Sequence, residues 1–135
     1  MFRINVKYQG FDDQEYEEVL YFNMTKIEFM RWQADANDNL AEKMKSAVKD
    51  NDFSKIIMYF EDLIRRSYGE KSEDGRRFIK NAQKTEEFMS SPVYDELFWR
   101  ITQNNKECEA FLAGVIPNTK GSLTEENATA NISRD

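Results

Sequence analysis

Cys108 and two acidic runs are the side chains whose types and spacing could do chemistry: Asp12-Asp13-Gln14-Glu15 with Glu17-Glu18, and Glu73-Asp74-Gly75. A cysteine attacks only as its thiolate, while clustered carboxylates can exchange a proton or hold calcium. Cys108 lies between Glu107 and Glu109 on an apolar-faced segment. Their charge opposes thiolate formation, so a small buried hydrophobe is expected there. Neither acidic run has the alternating oxygen ligands and closing glutamate of a calcium loop, so both read as solvated turns. The chain has 0 His, which removes the commonest general base and zinc ligand, and one cysteine cannot build a thiolate site. The 5 glycines are scattered singly, without the spacing of a phosphate-cradling loop. The expectation is no catalytic residue, no metal ligand and no cofactor, in a protein that is not an enzyme.

The elements these residues sit on belong to one domain. The chain has 135 residues, of which 40% are hydrophobic, with the bulk held in 10 Phe, 6 Tyr and 2 Trp. That suffices for one core and not for two. A net charge of -6 repels a phosphate-rich partner, and Lys71, Arg76, Arg77 and Lys80 are interrupted by Glu73 and Asp74, so nucleic-acid binding is not expected. Met1 to Val6 lacks the apolar run of a signal peptide, and no stretch approaches the roughly 18 apolar residues of a membrane helix. A cytoplasmic protein is expected.

Phe2, Ile4, Val6 and Tyr8 alternate with Arg3, Asn5 and Lys7 at the period of a half-buried strand, and Tyr16 to Phe22 supplies a second strand to pair with it. A hairpin over 2–22 must lie on helices or take strands from another chain, because two strands alone are marginal in water. Helices fill 25–117. Thr25 and Glu28 form a capping box for the first, whose stripe is Ile27, Phe29 and Met30. The second runs from Asn39 with Leu40, Met44, Ala47 and Val48 inward. Asp52 caps the third, with Phe53, Ile56, Ile57, Tyr59, Phe60, Leu63, Ile64 and Tyr68 apolar, and Gly69 is placed to close it in the left-handed conformation. A polar loop leads to a short helix over 85–89. Pro92 opens the next, burying Val93, Tyr94, Leu97, Phe98 and Ile101, and a last helix spans 105–114. Phe98 and Trp99 are adjacent and cannot both face one core. Residues 118–135 are polar and expected to form a flexible tail. The fold class is mainly α with a small N-terminal β-hairpin, a compact multi-helix domain followed by that tail.

Three stretches carry a family resemblance: Tyr21 to Glu28, Arg66 to Lys80, and Ser91 to Phe98 closing with Phe111 to Pro117. The middle one is the most specific, through Ser67, Tyr68, Gly69, Lys71, Ser72, Asp74, Gly75, Arg77 and Phe78. In this order and spacing, over about residues 2 to 117, the chain resembles the tail assembly chaperones of long-tailed bacteriophages. The resemblance implies binding of the tape measure protein, which keeps it soluble before the tail tube polymerises around it. It implies no catalysis, and often a second, frameshifted length. The tail tube protein and a further copy of the chain, joined through hairpin edges, are the other partners it leaves open. Trp99-Arg100 and Gln83-Lys84-Thr85 depart from the pattern, as a changed partner surface would. The expected mode is a partner helix in an apolar groove, with Tyr94, Phe98, Trp99, Phe111 and Leu112 as contacts. The middle motif is expected to serve structure, through helix termination and a tight turn. A structural tail completion or connector protein, and a host-directed inhibitor, are the alternative readings.

Overall fold

The computed structural model describes residues 1–117. The expected tail over 118–135 lies outside them. Strands β1 (Phe2–Gln9) and β2 (Glu15–Phe22) form the hairpin, followed by helices α1 (Lys26–Ala36), α2 (Leu40–Lys49) and α3 (Phe53–Ser67). Strands β3 (Tyr68–Lys71) and β4 (Phe78–Ile79) come next, then α4 (Ala82–Met89), α5 (Pro92–Thr102) and α6 (Asn105–Val115). The sheet runs β1-β2-β3-β4, antiparallel throughout. The mainly helical class with its N-terminal hairpin is therefore present, and the hairpin is extended by two short strands.

Local chemistry sets the boundaries. Each helix begins on a side chain that accepts an orphan amide: Thr25, Asn39, Asp52, Asn81, Ser91 and Asn104. At α1 the box is reciprocal. Thr25 Oγ1 accepts from the Glu28 amide at 3.1 Å, and Glu28 Oε1 accepts from the Thr25 amide at 2.8 Å. The hairpin turns at Gly10 to Gln14, where Asp13 adopts a left-handed φ of 64° and Asp12 Oδ1 accepts from the Gln14 amide.

The hairpin lies on the helices. Phe2 meets Phe111 edge to face at 5.3 Å, and Arg100 of α5 reaches across to donate to the Asn5 carbonyl at 3.1 Å. Phe22, fully buried, is the hub, with ring centroids 5.4 Å from Phe111, 5.8 Å from Tyr68 and 6.1 Å from Phe88.

Four expectations need correction. Gly69 does not close α3 in a left-handed turn. The helix ends at Ser67, whose carbonyl accepts from the Asn23 amide at 2.8 Å, and the chain goes straight into β3 beside β2. Glycine is required at 69 for another reason: a Cβ would stand 2.6 Å from the Phe78 ring and 2.7 Å from the Ile79 carbonyl. On α1 the buried residues are Phe29 and Trp32, while Ile27 and Met30 face outward. On α3, Phe53 and Ile57 are exposed, because the buried arc of the helix, on which α2 packs, is only Ile56, Phe60, Leu63, Ile64 and Ser67. The helix before Ser90 starts three residues earlier than expected, at Ala82, because Asn81 supplies its cap through a hydrogen bond from the Lys84 amide.

Candidate partner-binding site

The stretch from Ser67 to Phe78 folds into a tight hairpin that organises itself. Ser67 is buried and donates to the Leu63 carbonyl at 2.6 Å. Ser72 Oγ donates to Asp74 Oδ1 at 2.7 Å and accepts from the Arg77 amide at 3.1 Å. The Arg76 amide donates to the same Asp74 oxygen at 3.0 Å; that bond and the Ser72 hydroxyl hold the Asp74 carboxyl below the usual carboxylate range. Gly75 takes the left-handed position at φ 72°. Lys71 lies over the Tyr21 ring at 5.0 Å, and Phe78 packs on Gly69. The Ser72 hydroxyl and the Asp74 carboxylate are engaged within the turn and the Ser67 hydroxyl within α3, so these groups build backbone shape.

The residues singled out for partner contact divide by position. Phe111 and Leu112 lie inside the core, at 0% and 3% exposure. Inside the core they hold α6 against the sheet, as the Phe2 and Phe22 rings on Phe111 show. Tyr94 and Phe98 are half-buried and meet edge to face as successive rings of one α5 column, 5.8 Å apart. Trp99, 100° further round the helix, is 63% exposed.

A second helix also leaves apolar side chains uncovered. Phe53, Ile57, Glu61 and Arg65 form an i, i+4 column on α3, with Glu61 and Arg65 paired at 3.7 Å and Arg65 also paired to Glu86 of α4. Tyr94 stands against that column: burial, then the Glu61 carboxylate, pushes its phenol up to about 12. The Glu61 end of the α3 column thus lies near enough to Tyr94 for its charge to be felt there, and Phe53 and Ile57 are exposed on earlier turns of the same column. Sequence reasoning assigned Phe53 and Ile57 to the core. The signal that could have placed them at the water boundary is the charged continuation of their column, Glu61 and Arg65.

Other features carry less. A recess of about 550 Å³ lies over the distal hairpin, lined by Lys7, Tyr8, Gln9, Glu15, Tyr16 and Glu17; a two-stranded ribbon cannot enclose a substrate. Cys108 is buried, and burial foremost, aided by Glu109, pushes its thiol up to about 11. Among the described residues no group of three His, Cys, Asp or Glu is placed to hold a metal ion, and no helix is long and apolar enough to cross a membrane.

Compared with known proteins, residues 1–132 match the family model described as phage tail assembly chaperone. No curated protein and no solved structure matches the chain.

Proposed function

The chain belongs to the phage tail assembly chaperone family, and from that premise we propose that it binds the tape measure protein, keeps it soluble and promotes assembly of the tail tube. It does so in the cytoplasm of the bacterial host, without catalysis or cofactor. The tail tube protein and a further copy of the chain are secondary candidates for partners.

The observation that carries this reading is the exposed Trp99 beside the half-buried Tyr94 and Phe98 on α5, with Phe53 and Ile57 exposed on α3. An apolar surface of this kind, left uncovered by the chain's own core, suits the apolar stripe of a partner helix. The folded unit of residues 1–117 carries the binding, and 118–135 is a polar extension to it. The test is co-expression of the full chain with the tape measure protein of its own genome, scoring that protein's solubility and co-purification. Soluble tape measure protein recovered only in complex supports the reading. An equally insoluble partner and no complex would remove it, and the chain should then be sought in purified virions.

A further inference from the structure

We propose that the tryptophan-bearing face of α5 takes a cationic amphipathic helix, one whose lysines or arginines border its apolar stripe. This rests on the chaperone reading above and gives the chemistry of the segment gripped. Residues three and four apart are neighbours on a helix surface, so Asp95 and Glu96 both stand within a turn of the Trp99 indole. Both are exposed, and among the described residues neither forms an ion pair. The cation of the same helix is committed: Arg100 donates to the Asn5 carbonyl at 3.1 Å and pairs with Glu107 at 3.5 Å.

An indole with two uncommitted carboxylates beside it offers a cation both a π face and a counter-charge, while giving a neighbouring leucine or methionine apolar area. The net charge of -6 adds long-range attraction for the same class of partner. A second copy of the chain docking through this face would set Asp95 and Glu96 against their equivalents, so self-association there is opposed. An anionic helix is repelled for the same reason.

The experiment uses the full chain and two synthetic amphipathic helical peptides with the same leucine pattern, one flanked by lysine and one by glutamate. Trp32 is buried, so an emission change on titration reports Trp99, and Trp99→Phe serves as the blank. The lysine peptide should shift the emission to the blue and bind about tenfold more tightly than the glutamate peptide, the margin narrowing with salt. The double substitution Asp95→Asn with Glu96→Gln, on the surface and checked by circular dichroism, should weaken the lysine peptide by about tenfold. Equal binding of the two peptides, no binding of the lysine peptide, or unchanged affinity in the double variant overturns the proposal. Co-expression separates it from its premise. A tape measure complex that the double variant leaves intact overturns the cationic-helix proposal alone. No complex with the unaltered chain overturns the chaperone reading, while the peptides still decide the charge question.

Discussion

The ring of Tyr68 lies flat against that of Phe88, with centroids 4.2 Å apart and planes 6° from parallel. Phe22 stands at an angle to both. Three rings thereby join β2, β3 and α4, so the short strand that ends α3 is held by aromatic packing as well as by its two register partners on β2. Phe88→Ala should cost about 3–5 kcal/mol of stability by removing the ring that two others rest on. Tyr68→Phe, which keeps the stack, should cost less than about 1.5 kcal/mol. Urea denaturation of the two variants checks the contrast, and equal losses would mean that the stack is not what holds β3.

The glycines divide by the reason each is glycine. A Cβ at Gly114 would stand 2.2 Å from the Phe2 ring, so β1 approaches α6 only because that side chain is absent. Alanine favours a helix interior by about 1 kcal/mol over glycine, yet Gly114→Ala should destabilise, and adding Phe2→Ala should recover part of the loss. At Gly75 nothing lies within 4 Å, and only the φ of 72° argues for glycine. Gly75→Ala should cost about 1–2 kcal/mol, with no rescue from any neighbouring truncation. Thermal melts of the three variants give the comparison.

These positions also show what was legible beforehand. The hairpin, the Thr25 capping box, the Asp52 cap and Pro92 at the start of α5 follow from local chemistry, which is written in adjacent residues. Gly69 and Phe53 do not. The role of Gly69 depends on Phe78 folding back on it from nine residues away, and the exposure of Phe53 depends on how far around α3 its neighbours reach. Spacing gives the direction of an apolar arc and not its width. The exposure of Trp99 was half legible, since its adjacency to Phe98 forces one of the two away from the core. Phe111 and Leu112 were expected as partner contacts and lie in the core, because apolar residues on a terminal helix serve a core and a partner equally well until the sheet is seen to rest on them.

The first helix carries a pH dependence of known sign. Burial works to raise the Glu28 carboxyl. The Lys80 ammonium at 2.8 Å and the Thr25 amide outweigh burial and hold the carboxyl below the usual range. A carboxyl depressed in the folded state contributes its stability above its unfolded value, about 4.3, and loses it as the pH falls through the folded value. The melting temperature of the wild type should therefore exceed that of Glu28→Gln most clearly above about pH 5, and the gap should close as the pH drops below about 4. A gap that is constant from pH 7 to pH 3 would detach the effect from ionisation.

Cys108 should report opening of the domain. Its thiol is enclosed between α6 and the core, and burial pushes it up to about 11. Attack by a thiol reagent near pH 8 therefore needs both exposure and deprotonation, and should be slow and independent of reagent concentration once opening limits it. Denaturant should bring it to the rate of a free cysteine. Immediate stoichiometric labelling of the native protein would place the α6 packing in error.

Trp99 and Phe111 should behave as opposites under the same substitution. Trp99 is largely in water, so Trp99→Ala removes little packing and should leave stability within about 0.5 kcal/mol of the wild type. Phe111 is fully buried between Phe2 and Phe22, and Phe111→Ala should cost about 3–5 kcal/mol. In co-expression with the tape measure protein, Trp99→Ala should reduce recovery of the complex while the chaperone itself stays folded and abundant. Phe111→Ala should lower the amount of chaperone, and with it the complex, in equal proportion. The ratio of partner to chaperone in the purified material separates the two. A ratio that falls for Trp99→Ala and holds for Phe111→Ala assigns contact to α5 and support to α6. If the ratio instead holds for Trp99→Ala, the partner is gripped elsewhere, and the exposed Phe53 and Ile57 of α3 are the next residues to change.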